Sequence, residues 1–208
     1  SDYTGAMAVQ EWNAITRQIA HDYGRAEKEF ISNDDWFHNS ENYIYFYYLG
    51  LADPTNAEMM RRARRFAGFY MNEDPDVPNY EPEHRIIRSP FSGSKGPLFR
   101  ARYADVQYNI EHGHTTLGPG FEAPPEWYRD AALREKVHAR FDEVVMRGDV
   151  PVNLGVVALV ATAYLYTGEE KYKNWVVNYV EAWLERIQQN GGIIPDNVGL
   201  HGKIGENR

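Results

Sequence analysis

The 208-residue chain contains no cysteine. That excludes disulfide staples, thiolate nucleophiles and zinc–thiolate sites together, while leaving the compartment open. It also lacks any apolar run long enough to span a bilayer. The first residues, "SDYTGAM", have no charged start leading into an apolar stretch, so they do not read as a signal peptide. Basic residues are in deficit, with 22 Lys and Arg against 30 Asp and Glu and a net charge of −8. A phosphate backbone needs a basic face, so nucleic acid is not an expected partner, although a few arginines can still hold a small anion. Nowhere does an alternating strand pattern persist.

Aromatic residues make up 14% of the chain and 15 of them are tyrosine. Most aromatics fill cores. Tyrosine and tryptophan in excess beside many acids are also what sugar-binding clefts are built from. The chain length suits one domain with a real core.

Helical periodicity dominates. Val9, Trp12, Ile15, Ile19, Tyr23, Ala26 and Phe30 recur at steps of three and four, which predicts a helix from Val9 to Ile31. Ser32, Asn33 or Ser40 could start the next, whose stretch Tyr43–Leu51 is apolar on nearly every side. Asp53 and Pro54 read as the cap and first turn of a helix over Thr55–Asn72, with Met60, Ala63, Ala67, Tyr70 and Met71 inward and "RRARR" outward. Glu73–Pro124 is proline-rich and too long for an idle connection, so it reads as a functional loop with a short helix near Ala101–Asn109. Helix resumes between Pro125-Glu126 and Gly148. Asp149 reads as the cap of "VPVNLGVVALVATAYLYTG", apolar all round and so expected to be buried on every side. An amphipathic helix over Glu169–Asn190 follows and stops at Gly191. The fold class is therefore all-α, over a single domain spanning 1–208.

Two stretches repeat one layout, "SENYIYFYYLGLADPTNAEMMRRARRFAGFYM" and "NLGVVALVATAYLYTGEEKYKNWVVNYVEAWLERI": an enclosed helix, a short turn, then a charged amphipathic helix. With its glycine-rich exit, "AYLYTGEEKYKNWVVNYVEAWLERIQQNGGIIPD" resembles the hairpin-and-loop unit of the carbohydrate-active (α/α)6-toroid enzymes, among them the unsaturated glucuronyl hydrolases and the toroid domains of polysaccharide lyases. "HDYG" at His21–Gly24 looks like a string of the former, but it lies inside the first amphipathic helix and no role is carried over to it. The resemblance implies an α/α toroid of inner and outer helices. About six long helices are half of a twelve-helix ring, so the chain is expected to be part of a longer protein or to pair with another copy. A periplasmic or secreted location is favoured over a cytoplasmic one.

Such a ring holds its substrate at one mouth, and four stretches supply candidates for it. "NDDWFHNSE" offers Asp34, Asp35, Trp36 and His38, with helix capping as the structural alternative for the two acids. The long loop offers Arg88, Tyr103, Asp105, His112 and His114; an arginine can grip a uronate or sulfate through paired hydrogen bonds. His-Gly-His gives two imidazoles with no third ligand fixed by spacing, so neither metal nor cofactor is expected. Asn153 sits one turn inside an apolar helix and needs a partner, and the end of the chain offers Asp196 and His201. Glycosidic hydrolysis needs one carboxylic acid and one carboxylate, for which Asp34, Asp35, Asp105 and Asp196 are the candidates, Asp35 with Asp196 in particular. A lyase would draw on Tyr103 or His112 as base with Arg88 or Asn153 as neutraliser. The expected function is hydrolysis of an acidic, uronate-containing oligosaccharide. A lyase, a sugar epimerase using paired histidines, and a non-catalytic helical-repeat interaction module are the alternatives.

Overall fold

The computed structural model describes Tyr47 and residues 51–206, and these are mostly helical. The expected helix over Val9–Ile31, most of Tyr43–Leu51, and the candidates Asp34, Asp35, Trp36 and His38 lie outside the described residues. In chain order the described elements are α1 (Ala57–Gly68), β1 (Tyr80–Glu81), β2 (Ile86–Ile87), α2 (Tyr103–Glu111), a 3-10 turn (Trp127–Arg129), α3 (Ala131–Val145), a second 3-10 turn (Pro151–Gly155), α4 (Val156–Thr167) and α5 (Glu170–Gln189). None of these helices is long and apolar enough to cross a membrane.

α1 starts three residues later than the Asp53 reading. Asn56 is the cap, its side chain accepting from the Met59 N–H at 3.1 Å. Asp53 is engaged outside the helix by the Thr55 hydroxyl and the Asn56 amide. Met59, Ala63, Phe66 and Ala67 form the buried stripe, while Arg61 and Arg62 fold back on Glu58 at the surface.

α4 lies between α1 and α5 and contacts both. Val156, Leu159, Val160, Ala163 and Tyr166 are buried against them, and Tyr172, Trp175, Tyr179 and Trp183 answer from α5. Enclosure on every side does not hold, because Leu165 is 63% exposed. Among the described residues the long helices packed on it are α1 and α5 alone.

Glu73–Pro124 is folded rather than open. A two-stranded antiparallel hairpin pairs Tyr80 with Ile87 and Glu81 with Ile86, and buries Ile86 and Ile87 completely in the main core. This departs from the strandless expectation. The turn is held by the Glu81 carboxylate, which accepts the N–H groups of Glu83 and His84, and by Arg85 at φ 55°. Farther on, Ala101, Val106, Leu117 and Trp127 join Val137, Phe141 and Met146 of α3 and its exit in a second core.

Candidate functional site

Gly148, three residues past the end of α3, takes φ +92°, and the next residue, Asp149, is wholly buried. The cap of the 3-10 turn is Val150, so Asp149 is not the helix cap its position suggests. Its carboxylate gathers donors from three separate parts of the chain. Oδ1 accepts the Val150 N–H at 3.0 Å and the Asn153 amide at 2.9 Å; Oδ2 accepts the Ile87 N–H of the hairpin at 3.1 Å. The Tyr179 hydroxyl, from α5, stands 3.1 and 3.0 Å from the two oxygens. Burial pushes this carboxyl up to about 6, against the pull of the Asn153, Ile87 and Tyr179 hydrogen bonds and of the Arg186 charge. Burial and the adjacent Asp149 charge hold the Tyr179 hydroxyl well above its ordinary value. Arg186 spends its guanidinium on the His84 and Arg85 carbonyls of the hairpin turn, so α5 grips the hairpin twice.

The loop after α5 closes on the same residue. Asp149 N–H donates to the Val198 carbonyl at 2.7 Å and Val198 N–H returns the bond at 2.8 Å. Val198 also bridges Ile204, and Gly205 N–H reaches the Asn197 carbonyl at 2.9 Å. Asn197, fully buried, donates its amide to the Arg147 carbonyl at 3.2 Å. Glu206 folds inward and accepts both the backbone N–H and the ring Nδ1 of His201. Burial works to raise that carboxyl, and the His201 bonds with the Lys203 charge outweigh it, leaving Glu206 below its ordinary value. Gly199 is needed here, since a Cβ would sit 1.9 Å from the Glu206 Oε2. The polar ending is therefore a small folded cap stapled to Asp149, with Asp196 and His201 exposed on it.

Arg88 leaves β2 with its main chain fixed on both sides, its N–H on the Asn79 carbonyl and its carbonyl on the Gly148 N–H, each at 2.9 Å. Asn153 joins the group through Asp149 and reaches the Ser89 carbonyl at 3.4 Å. The side-chain oxygens of Asn79, Asn153 and Asn197 are buried and accept no hydrogen bond. Arg88, Asn153 and the terminal loop are thus brought to one end of the α4–α5 pair.

The remaining candidates stand on α2 or just past its end. The Tyr103 ring packs on buried His138, with centroids 4.3 Å apart, and its hydroxyl bonds Glu135. His138 is clamped between the Ala101 carbonyl (3.0 Å) and Asp142 (3.1 Å), while Asp142 also takes the Ala101 N–H at 2.8 Å. Asp105 is held by Arg102 through both oxygens, at 2.7 and 3.1 Å, a surface pair on the first turn. His112 and His114 stack in series with Tyr108, their centroids 4.2 and 5.4 Å from its ring. Tyr103 opens α2 and His112 caps its far end, about 13 Å along the axis at 1.5 Å per residue. Among the described residues no three His, Asp or Glu groups converge as a metal site.

A family model described as "Domain of unknown function (DUF8034)" matches residues 1–208. The chain belongs to this family. No curated protein and no solved structure matches it.

In this DUF8034 chain the residue that organises the site, Asp149, is one that its place in the sequence disguises. The one local signal is Asn153 four positions on, a polar residue inside an apolar stretch whose amide pairs with it. His138 and Asp142, one helical turn apart in α3, carried a readable spacing as well.

Proposed function

We propose that this chain acts on an acidic glycan as a glycoside hydrolase built on an α/α-toroid plan. The observation that carries the reading is the α4–α5 hairpin, whose glycine-rich exit turns back and sets Asp196 and His201 beside the end of the hairpin where Arg88 and Asn153 meet. α4 is the inner helix of that plan and amphipathic α5 the outer one. Loops returning to the end of an inner helix are where such a ring takes its sugar. Asp196 is the exposed acid of this loop, and the partner carboxylate comes from Asp34 or Asp35, outside the described residues. One acid protonates the leaving oxygen and the other carboxylate activates water or attacks carbon. Asp105 is set aside from this pair by its bidentate hold on Arg102.

The test is incubation with uronate-containing oligosaccharides, read by product mass. Fragments that together gain one water are expected, and Asp196→Asn is expected to abolish turnover with an unchanged melting curve, because neutralising an exposed loop acid costs little stability. Unsaturated fragments would transfer the site to a lyase. No change in any glycan would overturn the reading.

A further inference from the structure

Among the described residues most arginines are matched with a carboxylate, for instance Arg85 with Glu185, Arg100 with Glu135, Arg102 with Asp105 and Arg140 with Glu143. Four have no ion-pair partner among the described residues: Arg186, which is spent on the His84 and Arg85 carbonyls, Arg134, which lies over the Tyr103 ring, and Arg88 and Arg147. The last two guanidiniums converge on one ring, standing 5.5 Å (Arg88) and 5.8 Å (Arg147) from the centroid of Phe99. Arg88 spends a single N–H on the Pro78 carbonyl at 3.4 Å, and Arg147 is exposed.

Two like charges gathered at one aromatic ring repel each other, and in a chain with net charge −8 acids to separate or pair them are plentiful. Their roots are fixed as well. The Gly148 N–H ties to the Arg88 carbonyl, the Arg147 carbonyl receives the Asn197 amide, and Gly148 has no room for a side chain against Val198. The two side chains start from adjoining, anchored backbone and reach the same ring, which lowers the ordering cost of binding an anion between them.

We infer that Arg88, Arg147 and Phe99 form a binding site for an oxyanion: a carboxylate, sulfate or phosphate group carried on a small ligand. The guanidiniums donate to its oxygens and the ring edge supports the carbon skeleton that carries it. The site does not depend on hydrolysis, so it can stand if the glycan reading fails, and the glycan reading can stand without it.

The experiment is an NMR titration of the full chain with sodium sulfate, sodium phosphate and sodium glucuronate, each against sodium chloride at equal ionic strength. The reporters are the Arg88 and Arg147 Nε–H signals. Saturable shifts of both signals with a common midpoint are expected for at least one of the three anions, and the anion that binds tightest identifies the group. Arg147→Gln, at an exposed position, is expected to keep the fold by circular dichroism and to weaken binding about tenfold, with Arg88→Gln doing the same. Shifts that follow ionic strength alone, with chloride matching every anion, would overturn the site. So would saturable binding that survives both substitutions.

Discussion

Asp149→Ala is expected to cost about 3–5 kcal/mol in urea unfolding, the largest loss of any single substitution considered for this chain. The carboxylate is wholly buried and receives the Ile87 and Val150 N–H groups, the Asn153 amide and the Tyr179 hydroxyl. Alanine leaves all four donors without their acceptor in a space closed to water, and each orphaned donor costs its own desolvation. Asp149→Asn should cost less. Its amide oxygen keeps part of the set, and the Tyr179 hydroxyl can turn from donor to acceptor. The two variants also differ from wild type in their response to pH. Asp149 ionises near its ordinary 3.8 when unfolded and at about 6 when folded, so the folded state holds the proton more tightly. Its contribution to stability is fully present below about pH 4 and is lost as pH rises through 6, a swing on the order of 3 kcal/mol. Asn at 149 cannot titrate, so the stability advantage of wild type over Asp149→Asn should shrink across that window.

Gly148→Ala should be the second most damaging change, at about 3 kcal/mol. Its φ of +92° is already costly for any residue with a Cβ, and the added atom would stand 2.4 Å from the Val198 carbonyl oxygen. That oxygen cannot step aside, because it is the acceptor of the Asp149 N–H at 2.7 Å. Gly168→Ala is the control. Gly168 has φ +68° with nothing within 4 Å of an added Cβ, so it carries backbone strain without a clash and should cost about 1 kcal/mol. If thermal melting gives equal losses for the two, the packing of Gly148 against Val198 is not what holds the terminal loop.

The helices were legible because their information is local. α5 was expected over Glu169–Asn190 and spans Glu170–Gln189; the Gly191-Gly192 stop is real, both residues taking positive φ. α2 was placed within two residues of its ends. Periodicity failed where the pattern is too short to register. Two-residue strands cannot show alternation, and what makes the hairpin is the Glu81 carboxylate closing its turn. It failed again where position mimics a commoner role. An aspartate between Gly148 and an apolar helix reads as a cap, and its actual partners lie 62 residues upstream and 30 downstream. In the candidate site, the nearness of Arg88, Asn153 and the terminal loop follows from that long-range set, so sequence could name the residues without assembling them. Tyr103 and His112, alternative bases in the sequence reading, stand at opposite ends of one short helix, a placement that the loop's composition alone does not reveal.

Native-state hydrogen exchange on the Ile87, Asp149 and Val198 amides tests most directly whether one buried carboxylate assembles the hairpin, α5 and the terminal loop into a single face. These three N–H groups bond, in turn, the Asp149 carboxylate, the Val198 carbonyl and the Asp149 carbonyl. In wild type all three should exchange with one common opening free energy, and in Asp149→Asn all three should lose protection together. Fast exchange at Val198 beside slow exchange at Ile87 in wild type, or unchanged protection of Val198 in the variant, would contradict it.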